Sequence, residues 1–298
     1  MIIDDMKAFK FLSNTALVFS LALLASCSSN DDLEPASDKV IEFKANLRDV
    51  TRATLESNND VHWDLGDKIY VFGDQYEKAG LFNITPSSID GATASFTSFE
   101  RDLPSGFKAK EYYYALYPFG SATFDTKTSM ITSVLSAGQT VTEGCTYDKD
   151  ALVMVACADV LEKVFDFKNV PALIKVNVSN NGAGKVKFIE IVATNEANKL
   201  SGNFRASVGY AANDIKFEAI SDAYNKNTVK LEIPASDESK DFYIAALPCN
   251  INHGFTIKFE DEKGNVVYER VSKSDITLKS SKIYPFGSYD FAALLPEK

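Results

Sequence analysis

Short segments in which apolar and polar residues alternate recur along this chain from residue 41 onward. Neighbouring side chains of a β-strand point to opposite faces, so a period of two is typical of strands with one buried face. The predicted strands of the first half are 41–47, 68–72, 81–84, 92–99, 112–117 and 152–156. Those of the second half are 185–192, 199–204, 228–233, 242–247, 255–260, 266–271 and 276–278. A spacing of about eight to twelve residues predicts an all-β sandwich fold.

Two pairs of similar segments within the chain bear on the number of domains. "YYYALYP" at 112–118 and "FYIAALP" at 242–248 share the frame aromatic, Tyr, x, Ala, x, x, Pro. "KIYVFG" at 68–73 and "KIYPFG" at 282–287 occur in the opposite order, so a simple tandem duplication does not follow. The strand pattern restarts near residue 164, and Pro171 is compatible with the start of a helical turn. We expect two sandwich domains, at residues 39–163 and 164–298.

The N-terminal segment has the pattern of a bacterial lipoprotein signal. Lys7 and Lys10 precede an apolar run that is too short to span a bilayer and that ends in Leu-Ala-Ser-Cys at Cys27. We predict that residues 1–26 are a signal peptide and that Cys27 becomes the acylated first residue, with an incidental cysteine as the alternative. Residues 27–38, which are acidic and contain few apolar residues, are predicted to form a flexible tether.

Composition narrows the function classes. The net charge of −10 argues against nucleic acid as a partner. Cys145, Cys157 and Cys249 remain once Cys27 carries lipid, and the spacing leaves one disulfide and buried free thiols equally open. There is no metal-binding spacing such as CxxC, so we expect no metal and no cofactor.

No catalytic constellation is evident. The two histidines, His62 and His253, lie beside turn signals, and we expect them to be surface residues. The acidic clusters "DKD" at 148–150 and "EDEKGN" at 260–265 are interpreted as solvated turn charges, not calcium ligands. We therefore predict that the protein is not an enzyme. The rings of "YYYALYPF" at 112–119 could stack on a carbohydrate, but core packing is the preferred interpretation.

The first predicted strand could be exchangeable. Its inward residues are Ile41, Phe43, Ala45 and Leu47. The stretch "DVTRATLESNND" at 49–60 is polar, and a trypsin-like protease could cut it between Arg52 and Ala53. If the strand then left, the open groove would recruit another strand.

The C-terminal segment offers such a strand. Tyr289, Phe291, Ala293 and Leu295 alternate with the spacing of the inward residues of the first strand. We predict a strand over 288–295 that imitates the first strand and acts as a donor to a second molecule. The alternative is that it only closes the second domain.

The chain resembles the fimbrillins, subunits of type V pili in certain Gram-negative bacteria. The resemblance is carried, in order, by the lipobox at 24–27, "TRAT" at 51–54, "WDLGDKIYVF" at 63–72, "YYYALYP" at 112–118, "FKNVPALIKVNV" at 167–178 and "KIYPFG" at 282–287. It implies two transthyretin-like Greek-key β-sandwich domains in tandem and export as an outer-membrane lipoprotein. It further implies cleavage after Arg52 by an extracellular arginine-specific protease, and polymerisation with other fimbrial subunits by donor-strand exchange at the cell surface.

Two functions follow as hypotheses. The first is a structural subunit of a fimbrium that supports adhesion or biofilm. The alternative is a surface lipoprotein that binds glycans and never polymerises. The N-terminus of the exported form distinguishes them, because assembly requires Ala53 there and a permanent anchor requires acylated Cys27.

Overall fold

Strands make up about half of the described chain, as the alternating pattern predicts. The computed structural model describes residues 39–47, 62–210, 212 and 214–295. The strands of its first half are β1 (Val40–Asn46), β2 (Lys68–Gly73), β3 (Gly80–Ile84), β4 (Thr93–Phe99), β5 (Tyr112–Tyr117), β6 (Thr123–Asp125), β7 (Met130–Leu135), β8 (Gly138–Thr140), β9 (Met154–Asp159), β10 (Val164–Asp166) and β11 (Lys168–Asn169).

The second half continues in the same way. Its strands are β12 (Ala172–Ser179), β13 (Phe188–Ala193), β14 (Gly202–Val208), β15 (Ile215–Ala219), β16 (Thr228–Glu232), β17 (Lys240–Ala246), β18 (Cys249–Ile251), β19 (Phe255–Glu260), β20 (Val266–Ser272), β21 (Ile276–Leu278) and β22 (Ile283–Asp290). The helical elements described are three short 3-10 turns (Pro86–Ser88, Glu100–Asp102 and Lys149–Ala151) and one α-helical turn, α1 (Phe291–Leu294). No helix among the described residues is long and apolar enough to cross a membrane.

An eight-stranded sheet contains the N-terminal strands in the order β10-β1-β4-β3-β2-β5-β9-β11. Its inward side chains form one apolar core, to which strands near both ends of the order contribute, including Phe165 of β10 and Ala156 of β9. The sheet therefore wraps around its own core. The opposite face of β2, β5 and β9 contributes Phe72, Tyr114 and Val155 to a second apolar cluster.

That second cluster lies against a four-stranded sheet of order β15-β14-β7-β6, which supplies Phe124, Ile131 and Phe204. A third core fills the space between a five-stranded sheet, β20-β19-β13-β16-β8, and a three-stranded sheet, β17-β12-β22. Strands β18 and β21 pair separately. Alternating inward side chains such as Ile189 and Ile191 explain this sandwich, because each sheet has one apolar face to bury.

The all-β fold class is confirmed, whereas the division at residues 163 and 164 stays a prediction. Several pairings cross that position. Strands β10 and β11, which the prediction placed in the second domain, pair with β1 and β9 of the first sheet. Strand β14 pairs with β7, and β8 pairs with β16. The helical turn considered after Pro171 is wrong, because Ala172–Ser179 is a strand held by β17 and β22.

Candidate functional site

Strand β1 has the two faces that its sequence predicts. Phe43, Ala45 and Leu47 are buried in the core of the eight-stranded sheet, and Ile41 packs against that core while half-buried. Glu42 and Lys44 are exposed on the opposite face. All four predicted inward residues therefore point to one core.

Backbone pairing holds β1 on both sides. It is antiparallel to β4 in a register that runs from Val40 opposite Phe99 to Asn46 opposite Thr93. Its last three residues are parallel to β10, where the Lys44 amide donates to the Lys163 carbonyl at 3.0 Å and the Phe167 amide donates to the Asn46 carbonyl at 3.0 Å. If β1 left, the backbone groups along β4 and β10 would lose these partners.

Phe43 is the aromatic centre of this site. Its ring is 5.0 Å from Phe82 and 4.9 Å from Tyr113, both edge-on, and 5.0 Å from Phe165 in a stacked arrangement. Edge-on and offset contacts of this kind add to the stabilisation from buried area alone. The site therefore binds an aromatic side chain at this position from three sides.

Trp63, the chain's only tryptophan, touches the backbone of β1. Its indole Nε1–H donates to the Ala45 carbonyl at 3.3 Å, and the side chain is 2% exposed. Three rings surround it edge-on: Phe96 at 4.8 Å, Tyr117 at 5.1 Å and Phe167 at 5.7 Å. No role was predicted for this residue from the sequence; the available signal was a single tryptophan directly before a turn.

The turn after Trp63 fixes its position. Asp67 accepts the Asp64 amide at 2.8 Å and the Tyr117 hydroxyl at 3.0 Å, while Asp64 pairs with Lys149. Burial raises the pKa of the Asp67 carboxyl, and the two hydrogen bonds oppose that rise. Gly66 has φ of +94°, a conformation that L side chains rarely adopt. The motif "WDLGD" therefore folds a tight turn that places the indole under β1.

The C-terminal segment does not form the predicted strand over 288–295. Strand β22 ends at Asp290, and Phe291–Leu294 is a helical turn. Tyr289 and Phe291 are buried in the sandwich core, where their rings lie 4.5 Å and 5.1 Å from Phe259. Ala293 is exposed and Leu295 is half-buried. The strand conformation predicted beyond Asp290 is thus wrong for this state, whereas the donor role stays a prediction.

Three polar contacts keep this segment in place. Asp290 caps the helical turn by accepting the Ala292 amide at 3.0 Å, and it also accepts the side-chain amide of Asn180 at 2.8 Å. The Asn180 hydrogen bond lowers the pKa of the Asp290 carboxyl. Lys185 Nζ donates to the Leu295 carbonyl at 3.0 Å. Release of the segment would break these contacts and expose Phe291.

Other predicted sites have mixed outcomes. Cys27, Arg52 and Ala53 lie outside the described residues, so lipidation and cleavage stay predictions. Cys145, Cys157 and Cys249 are free thiols. Of the two alternatives that the sequence left open, free thiols are therefore present and the disulfide among these three described residues is not. Burial raises the pKa of the Cys157 thiol to about 12 and that of Cys249 to about 11.

The remaining candidate residues are the two histidines and the two acidic clusters. His62 and His253 are exposed, as predicted. Asp148 accepts the amides of Thr140 and Asp150, and Asp261 accepts those of Lys263 and Asn265. These carboxylates cap turns. Within the described ranges, no group of three or more His, Cys, Asp or Glu residues could hold a metal ion.

The aromatic run at 112–119 is not a surface platform. Tyr113 and Tyr117 belong to the core of the eight-stranded sheet, and Tyr114 to the cluster on its opposite face. Tyr112 is half-buried, and Phe119 is 48% exposed. The rings alternate between two buried faces, so core packing accounts for most of them.

Comparison with known proteins finds this fold in a solved structure but finds no match by sequence. No protein-family model matches the chain, and no curated protein matches it by sequence. A solved structure described as a "putative cell adhesion protein" from Bacteroides ovatus matches at a TM-score of 0.52 and 16% identity, covering 86% of this chain and 93% of that one. This chain shares its fold.

Two further solved structures match at lower scores. One, described in the same words and from Bacteroides uniformis, has a TM-score of 0.48 and 16% identity, covering 85% of this chain and 95% of that one. The tip fimbrial protein Mfa3 from Porphyromonas gingivalis, with a C-terminal truncation, has a TM-score of 0.39 and 10% identity, covering 87% and 96%.

Proposed function

We propose that this chain is a structural subunit of a cell-surface fimbrium that polymerises by strand exchange at the β1 site. The observation that carries the proposal is the setting of β1. It is the first strand described, it pairs with β4 along its whole length, and its inward side chains complete a core that the rest of the sheet forms. The shared fold with a protein described as a cell adhesion protein supports this reading.

Cleavage is the first step of the proposal. The chain connects β1 to Trp63 only through residues 47–62, so one cut after Arg52 leaves the strand held by noncovalent contacts alone. Those contacts are ladder hydrogen bonds, each contributing about 0.5–1.5 kcal/mol net, and buried side chains such as Phe43, each contributing about 1.5–3 kcal/mol. An extracellular arginine-specific protease would supply the cut.

Replacement is the second step. A strand that enters the vacated site forms the same number of ladder bonds as β1, so the exchange is nearly balanced in hydrogen bonding. If the donor strand belongs to a second subunit, its insertion links the two molecules. Before cleavage, lipid on Cys27 would hold the subunit at the outer membrane, and the finished fimbrium would serve adhesion or biofilm.

The first test is the N-terminus of the surface form. We expect mass spectrometry to find Ala53 as the first residue of polymerised protein, and we expect Arg52→Ala to leave acylated Cys27 and monomers. A wild-type surface population that keeps Cys27 in every copy would contradict the proposal.

A second test addresses the donor. Ala292 and Ala293 are both exposed in α1, so a glutamate at either should leave the monomer folded. In an inserted strand, Ala293 would point into the core and Ala292 outward. We therefore expect Ala293→Glu to prevent polymerisation and Ala292→Glu to permit it. Equal behaviour of the two variants would overturn the donor role.

A further inference from the structure

The contact between Trp63 and β1 falls at a pair of small, buried residues in the strand-binding site. Ala45 pairs across the ladder with Ala94 of β4, and both are almost completely buried, at 0% and 1% exposure. Directly opposite residues in an antiparallel pair have Cβ atoms about 4.5–5.5 Å apart. Both side chains of this pair are single methyl groups, and the indole N–H donates to the backbone carbonyl of Ala45.

The indole cannot easily move aside. Its edge-on neighbours Phe96, Tyr117 and Phe167 come from three different parts of the sheet. The backbone amide of Trp63 donates to the Gly91 carbonyl at 3.1 Å. On the other side of β1, Ala45 pairs with Phe165, whose ring stacks on Phe43. A close-packed surrounding of this kind resists added methylene groups.

We propose that Trp63 sets the specificity of the β1 site: the site accepts an extended segment with an aromatic inward residue followed, two positions later, by a small inward residue. The aromatic residue occupies the pocket of Phe43, and the small residue lies beside the indole. The indole N–H donates to the backbone carbonyl at the small position, which every residue offers, so side-chain size decides. This inference deepens the proposed function and rests on it.

The chain's own C-terminal segment fits that rule. Phe291 and Ala293 have the spacing of Phe43 and Ala45. A second copy of this chain is therefore a partner of the right chemistry, provided that the helical turn at Phe291–Leu294 unfolds and Phe291 leaves its own core. The rule excludes segments whose second inward residue is large.

Hydrogen exchange of the full-length chain tests the rule without requiring assembly. We expect Ala45→Leu to raise the exchange of the amides of β1 by roughly tenfold or more, because overpacking weakens the docked strand. The matched control is Lys44→Leu, which places the same side chain on the exposed face and should leave exchange within about twofold. Equal protection of β1 in wild type and Ala45→Leu would overturn the proposal.

A double variant shows whether the size limit at Ala45 comes from Trp63 or from overpacking in general. Trp63→Phe removes part of the indole while keeping an aromatic ring among its neighbours. We expect Trp63→Phe with Ala45→Leu to recover most of the protection that Ala45→Leu alone loses. If the double variant exchanges as fast as Ala45→Leu, the size limit does not come from Trp63 and the proposal fails.

Synthetic peptides keep the test valid if the Ala45→Leu chain does not fold. Wild-type chain cut after Arg52 is mixed with VIEFKANL, which is residues 40–47, or with VIEFKLNL, in which Leu replaces the alanine. We expect the first peptide to displace β1 at least tenfold better, followed by native mass spectrometry. Equal displacement by the two peptides overturns the size rule. If the peptides differ as expected but wild-type subunits form no polymer, only the fimbrial function is overturned.

Discussion

Strand β1 and the C-terminal segment carry similar inward residues but have different structures. Phe43 and Ala45 lie in a continuous strand, whereas Phe291 and Ala293 lie in a helical turn. The difference comes from the available partners. Strand β1 has β4 and β10 beside it, but the last residue of β12, Ser179, pairs with Asp290, and β12 ends there. A chain without a neighbouring strand satisfies its own backbone groups, here by a helical turn.

The same apolar spacing can therefore serve two states. In the isolated molecule, Phe291 fills its own sandwich core, packing edge-on against Phe259. In the proposed polymer, it would fill the pocket of Phe43 in a neighbour. In that exchange the segment would leave one aromatic pocket for another, and a strand ladder would offset the loss of the helical turn.

The largest expected effect comes from removing either aromatic ring. Phe43→Ala and Phe291→Ala should each lower the free energy of unfolding by about 3–5 kcal/mol, because both rings are fully buried. Only Phe43→Ala should shift the fluorescence of Trp63, which touches β1. Urea titration with excitation of the single tryptophan measures both quantities. An equal shift in emission for the two variants would show that the regions are not independent.

Thiol labelling serves as the control for local opening. Burial raises the pKa of Cys157 to about 12, so at pH 8 it is almost entirely protonated and reacts slowly. If Phe43→Ala releases β1 alone, Cys157 on β9 stays unlabelled while Trp63 emission changes. Rapid labelling of Cys157 would mean that the whole sheet opens.

A smaller effect is expected from the cap of the C-terminal turn. Asp290→Ala removes the acceptor of the Ala292 amide and should destabilise the segment by the loss of its N-cap. Faster hydrogen exchange at 291–295, with β1 unchanged, is the expected result. Asp261→Ala is the matched control, because Asp261 caps the turn between β19 and β20 instead of α1 and should leave both segments protected.

The smallest effect concerns pH. Hydrogen bonding from Asn180 lowers the pKa of Asp290 below its ordinary value of 3.8. A group with a lowered folded pKa contributes stability that is present above its unfolded pKa and is lost as pH falls through the folded pKa. The C-terminal segment should therefore loosen below pH 3.8, and Asp290→Asn should remove most of that pH dependence. Hydrogen exchange of 291–295 measured against pH tests this, and an identical pH profile for the two chains would contradict it.

Local pattern predicted part of this structure. The alternation at 41–47 and 112–117 identified β1 and β5 and their faces, because side-chain period depends only on neighbouring residues. The strands β6 and β8 were missed, since three residues give little periodicity, and the six-residue strand β7 between them was missed as well. The pairing of β1 with β10 depends on contacts between residues 120 positions apart along the chain, such as Lys44 and Val164.

The two errors near the proposed site have identifiable causes. In "DFAALL" at 290–295, aspartate is a favourable N-cap and alanine and leucine favour helices, so a helical signal was present beside the alternation. Trp63 was overlooked because its contact with Ala45 appears only when the turn at 63–67 folds back under β1. Apolar spacing alone identified the inward residues but not what surrounds them.

The most direct measurement is native mass spectrometry of exchange between molecules. Isotopically light and heavy chains, each cut between Arg52 and Ala53, are mixed at high concentration. The account predicts mixed oligomers in which each junction has lost one N-terminal fragment containing β1. If every cut molecule instead remains a monomer with its own fragment bound, the β1 site does not exchange strands and the account is contradicted.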